Sequence, residues 1–316
     1  MSFDGVEYLW MNGKIRPWAE GTLHVASHAL HYGSGVFEGI RCYDTDEYGP
    51  AIFRLGPHLA RLYASADFYH MRLPYTAQEL TQAMIELVSR NGFSDCYLRP
   101  IAFYGLGTLG VHPRQNPIDV AILAWKWGAY LGEEGLKTGV RVKFVSWTKL
   151  HQSMVPTMAK GCGHYLNSIL AVRQAVEEGY DEGILLNRDG HISEGSGENL
   201  FVVRDRVIRT NDESASILLG VTRDAAIRIA RDLGYSVEIG ILRREDLMTA
   251  DEAFFTGTAA EVTPIREVEG LTIGAGERGP ITTAIQRVFF DAVRGRDARY
   301  RDWLTPVAQP VAAAAD

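Results

Sequence analysis

Residues 156–165 read Pro-Thr-Met-Ala-Lys-Gly-Cys-Gly-His-Tyr and run into a helical pattern. The lysine, Lys160, stands among small residues at the end of an extended segment. Small neighbours let an amine lose part of its hydration without steric hindrance, and desolvation lowers its pKa and raises its nucleophilic fraction. Schiff-base chemistry needs such an amine, although a surface lysine in a loop would have the same spelling. The lysine census shortens the field. Of 32 basic residues only Lys14, Lys126, Lys137, Lys143, Lys149 and Lys160 are lysine, and none follows Gly161. An arginine-rich coding bias accounts for most of that imbalance.

Downstream, Ile192-Ser-Glu194-Gly-Ser-Gly-Glu198-Asn-Leu-Phe sets two carboxylates in a Gly/Ser turn ahead of an apolar strand. Either could act as an acid or base or pair with a ring nitrogen, and both could be solvated turn residues. Leu218-Leu-Gly220-Val-Thr222-Arg-Asp opens a clear helix, with Thr222 as the expected N-cap. A glycine ahead of a helix start leaves backbone N–H groups directed outward, the geometry of a phosphate cradle. Phe255-Thr-Gly257-Thr258-Ala-Ala260 is a strand end turning through small hydroxylated residues, a second place for phosphate donors. Taken together, a lysine nucleophile, a carboxylate for a pyridine nitrogen and two phosphate turns are the parts of a pyridoxal-phosphate enzyme.

Other signals point away from competing chemistries. Gly105-Leu-Gly107-Thr-Leu-Gly110 spells a dinucleotide fingerprint, but the chain continues Val-His-Pro-Arg-Gln-Asn-Pro, which cannot begin the helix such a site requires. It is expected to be a flexible loop. His28 and His31 have Glu38 as the one nearby carboxylate and no third ligand at natural spacing, so packed or hydrogen-bonded histidines are expected and no metal. The 39 acidic against 32 basic residues, net charge −7, give no footprint for nucleic acid or an anionic membrane. No apolar run approaches the roughly 20 residues of a membrane span. Residues 1–13 lack the basic and apolar regions of a signal peptide. Cys42, Cys96 and Cys162 are odd in number and far apart, which fits reduced thiols in a cytoplasmic protein.

The remaining periodicities give a mixed α+β and α/β chain. Asn12-Gly13 between short apolar runs marks a hairpin over Val6–Met11 and Lys14–Pro17. Helices are expected over 58–70, 77–89, 222–233 and 281–292, and strands over 96–104, 119–125, 140–147, 183–186, 199–203 and 253–256. The Gly-rich stretch 127–135 reads as a linker between a small domain, 1–126, and a larger one, 136–316. The chain after Trp303 is expected to fray.

With these runs in place the chain resembles the class IV, or fold-type IV, aminotransferases, most closely the bacterial branched-chain amino-acid group. VASHALHYGSGVFEGIRCY, YLRPIAF, WGAYLG, PTMAKGCGHYLNS, GYDEGILLNRDGHISEGSGENLF, GVTRDAAI and ADEAFFTGTAAEVTPIREV carry the likeness in family order from about residue 7 to 305. The resemblance implies a small N-terminal α/β domain, a larger C-terminal pseudo-barrel domain and pyridoxal 5′-phosphate. It implies that Lys160 bears the cofactor, that Glu194 pairs with the pyridine nitrogen and that Tyr165 approaches the phenolic oxygen. Arg61, Val221, Thr222 and Thr258 would anchor the phosphate, and Leu218 would support the ring. Tyr97, Thr258 and Ala259 would receive the substrate α-carboxylate, and Phe37, Tyr130 and Val111 would line the side-chain pocket. Arg99 and Tyr32 would bind the distal carboxylate of glutamate. The reaction implied is ping-pong transfer between leucine, isoleucine or valine and 2-oxoglutarate, in a homodimer that can assemble into a hexamer. Leu219 stands where relatives frequently have proline, and Gly161-Cys162-Gly163 replaces other small residues. A D-amino-acid or R-amine transaminase is the nearest competing reading, opposed by Arg99 in YLRP and by VFEGIRCY. A nicotinamide dehydrogenase would rest on the GLGTLG run alone.

Overall fold

A computed structural model of the chain describes residues 3–128 and 130–307. The chain divides into two compact units, Met1–Trp127 with Ala159–Gly163 and Asp291–Asp316, and Gly128–Met158 with His164–Phe290. The division is less contiguous than the sequence reading at 126 and 136. The five residues around Lys160 belong with the first unit, where Gly161 bridges Val36. Most of the stretch expected to be a linker opens the second unit, and a helix, Gly132–Thr138, begins inside it.

In the first unit β1 (Tyr8–Met11) and β2 (Lys14–Pro17) form the expected hairpin. Asn12 and Gly13 both take positive φ, 49° and 85°, as a two-residue turn matched to strand twist requires. There follow α1 (His28–Tyr32), β3 (Gly35–Phe37), β4 (Ile40–Thr45), β5 (Gly49–Phe53), α2 (Leu55–Phe68), α3 (Ala77–Arg90), β6 (Cys96–Tyr104) and β7 (Ile118–Trp125). The start of α3 is set by a capping box between Thr76 and Glu79, and its buried face is Leu80, Ala83, Met84, Leu87 and Val88, the i, i+3, i+4 spacing of an amphipathic helix.

The sheet runs Leu304–Pro306, β5, β4, β6, β7, β1, β2, with β3 also on β6. The strand Leu304–Pro306 corrects the expectation of a frayed tail: it pairs with β5, Leu304 opposite Phe53. Residues 308–316 lie outside the described residues. Strands β3 and β4 are successive stretches along one side of β6, with Val36 opposite Ala102 and Ile40 opposite Leu98. Between them the ladder breaks at Glu38–Gly39, opposite Pro100. Glu38 N donates to Pro100 O at 2.9 Å, so Pro100's missing N–H also faces the break, where the strand can spare a donor.

The second unit contains α4 (Gly132–Thr138), β8 (Val140–Thr148), α5 (Tyr165–Glu177), β9 (Glu182–Leu186), β10 (Asn199–Arg204), β11 (Val207–Thr210), α6 (Val221–Asp232), β12 (Ser236–Ile239), α7 (Arg244–Met248), β13 (Glu252–Gly257), β14 (Glu261–Val268), β15 (Leu271–Thr272) and α8 (Pro280–Val293). Its sheet runs β12, β11, β10, β13, β14, β8, β9, with β15 beside β14. The β8/β9, β8/β14 and β11/β12 pairs are parallel. Val142, Phe144, Ile184, Leu200, Val202 and Phe255 form the centre of a core in this unit. Strand and helix bounds lie within one or two residues of the periodicities, except that α2 starts at Leu55.

One cap differs from expectation. The residue capping α6 is Gly220, and Thr222 lies buried in the first turn. A Cβ on Gly220 would stand 2.2 Å from Asn199 Oδ1, which instead accepts from Gly220 N at 3.1 Å. Close approach to Asn199 therefore selects glycine there, and the hydroxyl is left to serve elsewhere.

Helix α8 is anchored by a carboxylate from β13. Glu252 accepts from Ile281 N at 2.9 Å, Thr282 N at 2.7 Å and Thr282 Oγ1 at 2.7 Å, all buried. Negative charge at a helix N-terminus satisfies amides that have no partner within the helix. We predict that Glu252→Ala lowers stability by about 2–3 kcal/mol, the cost of leaving buried donors unmet. Denaturant unfolding checks this, and a loss below about 0.5 kcal/mol would mean that water replaces the carboxylate.

Candidate active site

The first unit assembles a cluster around Lys160. Its main chain is fixed on both sides: Phe37 N donates to Lys160 O at 3.1 Å, and Lys160 N donates to Ser65 Oγ of α2 at 3.0 Å. Strand alternation turns the Phe37 amide to the edge of β3 away from β6, the edge on which Val36 bridges Gly161. The half-buried amine lies 5.1 Å from the centre of the Phe37 ring. Burial, then the Arg61 charge, lower its pKa to about 8, against the opposing pull of Glu38. Lys160 is thus the kind of amine the sequence led us to expect.

Beneath it lies a fully buried carboxylate. Glu38 accepts from Arg61 Nε at 2.6 Å and Arg61 Nη2 at 2.9 Å, and meets His58 Nδ1 at 2.7 Å. Burial by itself would raise the Glu38 carboxyl. Arg61 and His58 outweigh it and hold Glu38 well below the usual carboxylate range. Burial lowers the His58 pKa, with Glu38 opposing, and the ring donates Nδ1–H to the carboxylate.

Beside Phe37 stands Arg99 of β6. Its guanidinium lies 4.7 Å from the Phe37 ring centre, 5.2 Å from that of Tyr97 and 5.7 Å from that of Trp125. Nη2 makes a long 3.4 Å contact to the Tyr97 hydroxyl, and Nε is buried with no acceptor among the described residues. A guanidinium framed by aromatic faces with an unmet buried donor is suited to an anionic ligand. The Tyr97 hydroxyl needs the space at Gly39, where a Cβ would come within 1.8 Å of it. Tyr32 and Val111 are not part of this cluster. Both are exposed, at 47% and 80%, and the Tyr32 hydroxyl donates to Leu109 O at 2.7 Å on the loop after β6. That loop, carrying the GLGTLG run, contains no helix.

The second unit holds the other expected residues. Glu194 is buried, and its Oε2 accepts from Leu218 N at 3.0 Å and Asn199 Nδ2 at 3.2 Å. Its Oε1 pairs with Lys149 Nζ. Glu198 serves its own turn, accepting from Gly197 N at 3.0 Å. At α6 the first helical bond is Asp224 N to Gly220 O, so the amides of Val221, Thr222 and Arg223 precede the ladder. Thr258 and Ala259 occupy the three-residue turn between Gly257 and Glu261, whose register is closed by Glu261 at φ 57°. Tyr165 is the first residue of α5. The Tyr130 hydroxyl bonds the Ser196 side chain, and burial together with Glu198 and Glu182 raises its pKa.

Sequence reasoning assigned no site role to Glu38, His58 and Ser65 in the first unit, or to Lys149, Asn199 and Glu182 in the second. Glu38 did leave a signal, a carboxylate inside the apolar run Val36-Phe37-Glu38-Gly39-Ile40. Glu182 accepts from Gly183 N at 2.6 Å and Ser196 Oγ at 2.9 Å, and burial pushes it up to about 7. Among the described residues no group of His, Cys, Asp and Glu could hold a metal ion, and no helix is long and apolar enough to cross a membrane.

Comparison with known proteins places this geometry in a family. The profile of the amino-transferase class IV family matches residues 35–268. The branched-chain-amino-acid aminotransferase of Escherichia coli (strain K12) is 44% identical over 310 residues, 98% of this chain and 100% of that protein. Its counterpart in Pseudomonas aeruginosa is 44% identical over 304 residues, 96% of this chain and 98% of that protein. Among solved structures, the branched-chain amino acid aminotransferase from Thermobaculum terrenum in its PLP form gives a TM-score of 0.90 at 36% identity, over 96% of this chain and 99% of that one. With a family profile across most of its length, and relatives matched nearly end to end, the chain belongs to the class IV aminotransferases.

Proposed function

We propose that the chain transfers the amino group reversibly between L-leucine, L-isoleucine or L-valine and 2-oxoglutarate, by a ping-pong reaction with pyridoxal 5′-phosphate. The observation that carries the reading is Lys160, an amine drawn to about 8 with its main chain pinned by Phe37 and Ser65. Two other lysines of the census are held by carboxylates, Lys149 by Glu194 and Lys143 by Glu178. Each unit holds donors of the kind the cofactor needs: a low-pKa amine in the first, and a buried oriented carboxylate and helix amides ahead of their ladder in the second.

When bound, pyridoxal phosphate supplies the electron sink that lets an amino acid lose its α-proton. Lys160 would hold the cofactor through Nζ and, once released by substrate, move the proton between the substrate α-carbon and cofactor C4′. Glu194 would keep the pyridine nitrogen protonated; its Oε2 is already fixed by two donors, whereas Glu198 is spent on its own turn. Arg61, Val221, Thr222 and Thr258 would take the phosphate, Tyr165 the phenolic oxygen, and Leu218 one face of the ring. Tyr97, Thr258 and Ala259 would orient the α-carboxylate, and Phe37, Tyr130 and Val111 would surround the side chain. Arg99 and Tyr32 would pair with the distal carboxylate of glutamate, with Tyr32 and Val111, exposed in the single chain, supplied from segments near or across the dimer interface. A leucine side chain leaves Arg99 with its aromatic neighbours and water, so one pocket serves both substrates.

A homodimer, the unit from which a hexamer would be built, is supported by the apolar residues Val25, Leu30, Leu106, Leu109 and Val111, all exposed on and around α1, which carries Tyr32, and the loop that carries Val111. Three free cysteines support a cytoplasmic setting.

Three outcomes test the reading. Lys160→Ala abolishes transamination and the adduct trapped by borohydride; labelling of Lys149 or Lys143 instead would refute the assignment. The neutral amine predominates above its pKa, so borohydride trapping with added pyridoxal phosphate rises through a midpoint near pH 8 and is lost as pH falls below it. A midpoint near the ordinary lysine value would contradict the site electrostatics. Arg99→Ala loses about 2–4 kcal/mol of kcat/KM for glutamate and 2-oxoglutarate, with the leucine half-reaction far less affected. Equal loss in both, with a lower Tm, would make Arg99 structural.

A further inference from the structure

Glu38 has no role among the assignments above, yet it is fully buried, ionised and touches Arg61, one of the residues around Lys160. Its oxygens grip Arg61 side-on, Oε1 to Nε at 2.6 Å and Oε2 to Nη2 at 2.9 Å, while His58 Nδ1 at 2.7 Å also donates to Oε2 and fixes the carboxylate. A side-on fork engages Nε and one terminal nitrogen together, which sets both the plane and the direction of the guanidinium. The main chain of Glu38 is equally constrained, since its N–H bonds Pro100 O at 2.9 Å where the β3/β4 ladder stops. The strand break, the buried carboxylate and the arginine on α2 are therefore one mechanical unit.

We infer that Glu38 is a positioning residue for phosphate recognition: it orders Arg61 before the ligand arrives, so that a phosphate monoester meets a guanidinium whose plane is already set. An arginine has much rotamer freedom to lose on binding, and one already clamped loses less. A glutamine at this position keeps the shape and one acceptor but sets an amide NH2 against a guanidinium nitrogen, which breaks the fork. The inference rests on the reading of Arg61 as a phosphate anchor.

The test uses the full chain freed of cofactor, titrated with pyridoxal phosphate and with pyridoxal, which lacks the phosphate, and followed by tryptophan fluorescence. Arg61→Ala removes most of the preference for the phosphorylated form. Glu38→Gln weakens pyridoxal phosphate binding by roughly tenfold or more, the loss expected for a charge-assisted pair, and leaves pyridoxal binding close to that of the unmodified chain. If Arg61→Ala leaves the preference intact, the anchor reading fails and the inference with it. If Arg61→Ala lowers the preference while Glu38→Gln spares it, or weakens both ligands equally, Glu38 is not a positioning residue. Should Glu38→Gln not fold, His58→Gln removes the second support of the carboxylate. It should give the same selective loss at smaller size, and an equal loss for both ligands overturns the proposal.

Discussion

One edge of β3 organises the first unit around Lys160. Residues of a strand offer their main-chain groups alternately to its two neighbours. Glu38 N bonds Pro100 O on the β6 side, where the ladder breaks, so the Phe37 amide faces the other edge and reaches Lys160 O. At the same point Glu38 turns its side chain inward, and Gly39 leaves room for the Tyr97 hydroxyl. Two residue choices make the break possible. Pro100 has no donor to waste opposite it, and Gly39 has no Cβ to meet the phenol. A ladder bond contributes of order 1 kcal/mol, so the one that Pro100 cannot donate costs the sheet little.

Electrostatics around that break divide two cations by different means. Arg61 keeps its charge through a buried carboxylate, as a guanidinium of very high pKa should. For Lys160 the balance falls the other way, because burial and the neighbouring Arg61 outweigh the pull of Glu38 and favour the neutral amine. The same low-polarity surroundings therefore hold one basic group charged and make the other nucleophilic. In the second unit the complementary arrangement appears, where Glu194 is tied to two neutral donors and a lysine.

Much of the fold could be read from local pattern. The nine residues Cys96–Tyr104 form a buried apolar run and are a strand over that same range, and Asn12-Gly13 carries its turn geometry in its letters. Periodicity also located α3, α6 and α8, each with a clear apolar face. What escaped was pairing between distant positions. Nothing in the vicinity of His58 or Glu38 announces that they meet, and three residues, Leu304–Pro306, are too few for any period to declare a strand. The cap of α6 was misplaced because Thr222 satisfies the local preference, whereas the contact that decides between it and Gly220 comes from Asn199, 21 residues before that glycine. Lys160 was nameable as a candidate from its surroundings in sequence, Glu194 only jointly with Glu198, and Arg99 through the family resemblance. That Arg99 would stand among three rings with an unmet donor was not, since Phe37, Tyr97 and Trp125 come from three different strands.

The return of Ala159–Gly163 to the first unit, and of the terminal strand to β5, bears on the order in which the molecule is made. Domains are generally completed in the order of synthesis, the N-terminal one first. Here the N-terminal unit lacks Lys160 until the polypeptide has grown past Gly163, and lacks an edge of its sheet until Leu304–Pro306 has emerged. The intervening second unit can be complete by Phe290. On the ribosome, then, the first unit begun is the last to close, and Lys160 does not meet its partners until a chain of more than 160 residues exists to deliver it. A nascent chain cut short of residue 304 carries every candidate site residue while the first unit's sheet still awaits its last strand beside β5.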